Sequence, residues 1–382
     1  MSTAAAAGSS AGSAKVVHTD VAVIGGGPIG LACAWRATRR GLSAVVIDDG
    51  EPGAWHVAAG MLAPVAEADF GERALLELGL RSAKLYEDFC GELGDTGLRS
   101  SGTLVVARDA DEAEALDRLI AFRETLGLHV ERLRPSQARR AEPALAPTVR
   151  LALDAAGDHS IDPRRLVAAL QAVVERRPGR AAALRVEGER VTGVELETGA
   201  VVHADAVVVA TGVGTARLGM PEHARVPVRP VKGQVLRLRD PRGLRPHPPL
   251  VTRVIRGEQA YLVPRGDGRY VLGATMEERG HDTSSTAGGV YELIRDMSEI
   301  VPGVLELEID ELQAGLRPAT PDNLPAIGRG ALDGLVWATG HYRNGILLTP
   351  VTAELVAGVL AGEAPPDWAR PADPARFAGV PA

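Results

Sequence analysis

The sequence predicts an α/β fold: a doubly wound nucleotide-binding domain joined to a second domain of α+β type. Three observations lead there. The chain has 382 residues, 45% hydrophobic and 24% charged. That is enough for two cores, since a domain typically holds ~100–200 residues. A short apolar run, Thr19 to Ile24, leads directly into Gly25-Gly26-Gly27-Pro28-Ile29-Gly30. Two distant apolar runs, Asp205 to Gly212 and Gly334 to Gly340, both end in Ala-Thr-Gly.

Residues 1–16 are small and nearly uncharged, without the cationic start and bulky apolar stretch of a secretory signal, and read as a disordered tail. Gly8-Ser9-Ser10-Ala11-Gly12 matches the hydrolase pattern G-x-S-x-G, but no strand precedes it, so the strained strand-to-helix turn that pattern requires is missing. Thr19 to Ile24 suits a buried parallel strand. The glycines that follow occupy the three positions of G-x-G-x-x-G. Gly25 permits a tight turn, Gly27 lets the backbone approach a pyrophosphate, and Gly30 lets helix pack on strand. Leu31 to Arg40 reads as a helix with Gly41 as its C-cap, and Ser43 to Ile47 as a second strand ending at Asp48. An acid there accepts hydrogen bonds from ribose hydroxyls and disfavours a 2′-phosphate. Helical patterns occupy 72–92 and 110–127. Gln234 to Leu238, Gln259 to Val263 and Tyr270 to Ala274 read as strands, with Gly266-Asp267-Gly268 turning a hairpin. A helix is expected from near Asn344, and the proline-rich run from Pro365 reads as an extended tail. Three strand ends from distant segments fit a flavin domain better than a contiguous NAD domain.

The net charge of −7 and only 13 aromatic residues argue against nucleic acid as a partner. Charges interrupt every apolar stretch before ~18 residues, so no membrane span is expected. Two cysteines, Cys33 and Cys90, exclude a disulfide framework and suit a reducing cytoplasm. The nine histidines show no ligand spacing, so no metal is expected.

Six segments in unbroken order carry a resemblance. They are Ala58 to Pro64, Val228 to Gln234, Tyr261 to Arg265, Gly273 to Met276, Gly315 to Pro318 with Pro321-Asp322, and Gly340 to Leu347. On these the chain resembles the D-amino-acid-oxidase family of FAD enzymes over about residues 17–370, and within it the glycine-oxidizing subgroup of thiamine biosynthesis.

The resemblance implies an FAD-binding, Rossmann-like domain from 17–92, 151–219 and 321–366. A substrate domain on a mixed, largely antiparallel sheet would come from 93–150 and 220–320, with 367–382 a C-terminal tail. It implies noncovalent FAD, because no cysteine lies near Leu316 for attachment. Cofactor contacts are expected from Gly25, Gly27, Pro28, Ile29, Gly30, Asp48 and Asp49. Ala59, Gly60, Met61, Thr211 and Gly212 extend that set, and Gly340, His341, Tyr342, Arg343, Asn344, Gly345, Ile346 and Leu347 complete it. The last segment would present backbone N–H groups at a helix start to the flavin. The region 178–192 looks abbreviated and leaves the adenine contact unassigned.

For chemistry, the resemblance implies that Arg317 clamps the substrate carboxylate, Tyr261 hydrogen-bonds it, and Arg343 adds a polar group, with Met276 a pocket wall. A planar guanidinium suits this, because its fork makes two parallel charge-assisted bonds. The implied reaction is oxidation of glycine or another small amine to its imine, with oxygen reduced to hydrogen peroxide. A dehydrogenase acting on a D-amino acid or sarcosine, a noncatalytic FAD-binding protein, and homo-oligomer formation stay open.

Overall fold

The computed structural model describes residues 17–241 and 248–380. The N-terminal segment 1–16 therefore lies outside the described residues. Two eight-stranded sheets organise the rest.

The first sheet begins with β1 (Val17–Ile24), α1 (Pro28–Arg39) and β2 (Ala44–Asp48). Parallel to β1 lies Val201–Val209, and beside that Leu335–Thr339, so both Ala-Thr-Gly strands end next to the glycine-rich turn. Glu175–Pro178 adds to the β2 edge, and the antiparallel strands Arg190–Leu196 and Ala181–Glu187 extend from Val201–Val209. The central parallel strands are apolar where both faces are covered, at residues 21–24, 44–47, 207–209 and 335–338. Side chains alternate between two cores: Val21, Val23 and Val46 pack on one face, Ala22, Ile24 and Val45 on the other. On the first face lies α1, whose small Ala32, Cys33, Ala34 and Ala37 are fully buried.

The second sheet runs in the order Glu308–Ala319, Arg229–Arg239, Arg269–Gly273, Tyr261–Pro264, Val254–Arg256, Thr103–Ala107, Leu151–Ala155, Glu131–Leu133. Its only parallel pair, among the described residues, joins Val254–Arg256 to Thr103–Ala107. The expected hairpin across residues 266–268 is present, with Tyr261 opposite Gly273. Helix Ala287–Ile300 covers one face, packing Leu293, Met297 and Ile300 against Leu262 and Leu272. The other face looks toward the first sheet and carries the site.

Three expectations need correction. The strand Leu151–Ala155 belongs to the second sheet, not to the nucleotide-binding one, because it pairs with both Thr103–Ala107 and Glu131–Leu133. The last helix begins at Thr349, five residues after Asn344, with a 3-10 turn at Tyr342–Asn344 before it. The C-terminal run is no extended tail: 3-10 turns at Asp367–Ala372 and Pro374–Phe377 bury Ala372 and Phe377. Arg376 ties that run to Asp322 at 2.8 Å.

Candidate active site

A cavity of about 1370 Å³ runs from the glycine-rich turn to the inner face of the second sheet. Most small-ligand pockets span ~300–1,000 Å³, so this one suits a dinucleotide together with a substrate.

At the nucleotide end, Gly25, Gly27, Pro28 and Ile29 line the cavity, and α1 aims its N-terminus into it. Such a terminus offers unpaired N–H groups and a partial positive charge to a pyrophosphate. Gly30 does not line the cavity. A Cβ there would sit 2.0 Å from the Gly25 carbonyl oxygen, so glycine lets the helix close on its own turn. Asp48 accepts hydrogen bonds from the N–H of Gly26 (2.6 Å) and Gly50 (2.9 Å), and still lines the cavity. Asp49 is bound by Arg180, whose Nε lies 2.8 Å from its carboxylate. Gly179, Arg180, Ala181 and Ala182 line this end too, which places the stretch that sequence left unassigned. Pairing of Glu175–Pro178 with β2 brings them there.

In the middle, Ala59, Gly60, Met61, Thr211, Gly212, Gly340, His341, Tyr342, Arg343, Gly345 and Ile346 all line the cavity. Asn344 and Leu347 do not; both face the helix Arg73–Gly91 around Leu75 and Gly79. The stretch before the last helix forms a 3-10 turn, Tyr342–Asn344, in place of the expected α-helix start. His341 is buried, with Nε2 2.9 Å from the Thr352 hydroxyl. Burial pushes its pKa down to about 3, so the ring is neutral at ordinary pH. Cys33 and Cys90 are buried and line no part of the cavity.

At the second sheet, Arg317 emerges from Glu308–Ala319 and lies across Gly233 on the neighbouring strand. A Cβ at 233 would fall 2.4 Å from Nη2 of that guanidinium, so only glycine leaves it room. Nη1 donates to the carbonyls of Lys232 (3.2 Å) and Thr275 (3.1 Å). These bonds fix the plane of the group without neutralising it, and no carboxylate pairs with it among the described residues. Tyr261 faces it: burial pushes the tyrosine's pKa up, and the Arg317 charge opposes that shift. Both line the cavity.

Arg343 differs from the expectation. Its Nη2 donates to Glu72 at 2.5 Å, so its charge is already matched. Met276 lines the cavity but is 71% exposed, a residue of the mouth and not an enclosed wall, and the Tyr342 hydroxyl meets its sulfur at 2.7 Å.

Several site residues escaped the sequence reading. Lys232 is buried and pairs with Asp282 at 2.7 Å, tying the segment that carries Thr275 and Met276 back to the sheet. It stands within Val228 to Gln234 in a chain with three lysines, and that rarity is the signal the sequence carries for it. Arg123 is buried and donates to the carbonyls of Ala66 and Ala68, while Asp158 accepts from the N–H of Val65 and Ala66. Together they hold the loop that brings Glu67 to the cavity. Burial draws the Arg123 pKa down to about 10 and raises that of Asp158 to about 7. No local motif marks either residue.

The family model for FAD-dependent oxidoreductases, DAO, matches residues 20–359. A protein of Nostoc sp. named bifunctional protein ThiO/ThiG is 36% identical over 89% of this chain, and the chain spans about half (52%) of that relative's length. The hydrogen cyanide synthase subunit HcnC of Pseudomonas aeruginosa is 30% identical over 95% of this chain and 97% of its own. Among solved structures, glycine oxidase from Geobacillus kaustophilus superposes with a TM-score of 0.86 at 31% identity, covering 94% of this chain and 98% of that one. With the glycine-rich turn, Asp48 and the long cavity already in place, the conclusion is that this chain belongs to the DAO family of FAD-dependent oxidoreductases.

Proposed function

We propose that the protein is a flavoprotein oxidase that converts glycine, or a small amine such as sarcosine or D-alanine, to its imine while oxygen is reduced to hydrogen peroxide. The imine would supply thiazole synthesis in thiamine biosynthesis, and the two buried free cysteines suit work in the cytoplasm. The observation that carries this reading is Arg317: a cation fixed by two carbonyls, facing Tyr261, with no carboxylate paired to it among the described residues.

The nucleotide end fits FAD, with α1 facing the pyrophosphate, Asp48 the ribose and the Gly179–Arg180 stretch the adenine side. No cysteine lines the cavity, which supports noncovalent attachment. Bound there, FAD supplies the two-electron acceptor for the substrate's Cα–H bond. The protein's own task is placement. Arg317 offers the substrate carboxylate a charge-assisted fork, and the Tyr261 hydroxyl donates a further hydrogen bond to it. Neutral His341 adds no charge beside the reacting amine, and Arg343, matched by Glu72, does not compete for the carboxylate.

Anaerobic titration with glycine, sarcosine, D-alanine and D-proline, followed by flavin absorbance, tests the reading. Glycine and the small amines are expected to bleach the flavin, and oxygen to restore it quickly. Slow recovery in oxygen would favour a dehydrogenase that passes electrons to a carrier. No bleaching by any amine would overturn the proposal.

A further inference from the structure

Arg256 has no part in the clamp at Arg317 and Tyr261, yet it lines the same cavity. It ends the strand Val254–Arg256, directly opposite Tyr261 on one side and Val105 on the other. Residues paired in register leave a sheet on one face, so Arg256 and Tyr261 share the face that bounds the cavity. The strand order places Arg256 on the side of Tyr261 away from Arg317. The tyrosine thus stands between two guanidinium groups.

Arg256 is half-buried, and no hydrogen bond or ion pair holds it among the described residues. Its neighbours do not satisfy it. Asp158 spends its oxygens on the N–H groups of Val65 and Ala66, and Glu67 lines the cavity without an ion pair to any cation among the described residues. Behind it Arg123 is buried with Nη1 unpartnered, and the Arg256 charge is, after burial, the next cause lowering the Arg123 pKa. Other half-buried arginines differ among themselves: Arg164 binds Glu311 and Arg253 binds Asp154, whereas Arg265 donates to the Ile161 carbonyl and, like Arg256, pairs with no acid among the described residues. Uncompensated cations at a cavity wall concentrate positive potential where a ligand can use it.

Building on the amine-oxidase reading, we propose that Arg256 forms a second anion subsite, which receives an acidic group on the substrate distal to the carboxylate held by Arg317. Beyond glycine and the small amines already named, the subsite would then admit small amines with two acid groups. The second could sit on the nitrogen, as an N-carboxymethyl group, or on the side chain of an acidic D-amino acid.

The test uses the FAD-loaded protein and nonreacting ligands. Flavin absorbance is followed during titration with acetate, malonate and succinate. One of the dicarboxylates is expected to bind about 10–100-fold more tightly than acetate, the usual worth of a charged hydrogen bond. Arg256→Gln should collapse that ratio toward one, and Arg256→Lys should restore part of it. Comparing kcat/KM for N-carboxymethylglycine and D-aspartate relative to glycine identifies the source of the second acid, since the true one loses its advantage in Arg256→Gln. Equal binding of acetate and both dicarboxylates by the unmodified protein would overturn the proposal without any variant. An unchanged ratio in a folded, yellow Arg256→Gln would also overturn it. If glycine bleaches the flavin but the second acid gains nothing, the subsite fails alone. If dicarboxylates bind tightly but no amine bleaches the flavin, the oxidase reading fails and the subsite stands.

Discussion

At the nucleotide end of the cavity, the main chain makes the site: a glycine-rich turn, the N-terminus of α1, and an aspartate that braces the turn through the N–H of Gly26. At the opposite end, side chains make it. Arg317, Tyr261 and Arg256 project from three strands of the second sheet, brought to one face by register. The two ends are therefore vulnerable to opposite changes. Adding atoms damages a backbone site, whereas removing atoms damages a side-chain site.

Truncation at the second sheet should have the largest effect. Arg317→Ala would leave a substrate carboxylate in the cavity without its partner, a loss that typically costs ~3–5 kcal/mol, or roughly 10²–10³-fold or more in kcat/KM. FAD content should stay normal, and lysine should restore only part because it lacks the fork. Steady-state kinetics beside a flavin-to-protein ratio checks both. A variant that lost FAD instead would erase the distinction between the two ends.

The converse change is Gly30→Ala. Its Cβ would meet the backbone oxygen of Gly25 at 2.0 Å, which no side-chain rotation relieves. Overpacking of this kind costs about 1–3 kcal/mol and sometimes more. The purified variant is expected to be largely colourless, with a lowered Tm. Normal FAD retention would show that the turn yields more readily than its contacts imply.

Between the two ends lies His341. Its folded pKa of about 3 is depressed from the ordinary 6.5, so the fold prefers the neutral ring. The stability this contributes is full above about pH 6.5 and is lost as pH falls toward 3. Between pH 7 and 5 the loss amounts to about 2 kcal/mol. His341→Gln should lose correspondingly less over that interval, read from denaturant midpoints at the two pH values.

The smallest effect is expected at Arg343. Its pair with Glu72 is about one-third exposed on both sides, where such pairs contribute ~0–1 kcal/mol. Arg343→Gln should therefore leave stability nearly unchanged and reduce kcat/KM far less than Arg317→Ala. An equal loss would mean that Arg343 shares the carboxylate after all.

The same contrast explains what the sequence disclosed. The β1–turn–α1–β2 unit is contiguous, so strand, glycines, helix and Asp48 could be read together, and Asp48 indeed meets the turn. The second-sheet residues came from motifs, because nothing local says that Arg317 and Tyr261 will face one another. The resemblance puts Leu151 to Ala155 with the first sheet, and a strand buried at four of its five residues carries no mark of its partner. A helix is expected from near Asn344, yet it starts at Thr349, and Pro350 in its first turn is the local signal of that start. Arg123 and Asp158 act on a loop 55 and 92 residues away, beyond any local pattern. Arg256 became visible only through register.

On the proposed reaction, the cavity grips its substrate by the carboxylate. Anaerobic titration of the unmodified, FAD-loaded protein with glycine and with glycinamide tests this most directly, since the amide keeps the amine and the Cα–H bonds but removes the negative charge. Glycine should bleach the flavin at concentrations where glycinamide leaves its spectrum unchanged. Equal bleaching by both would contradict the account, for Arg317 and Tyr261 would then not be what selects the substrate.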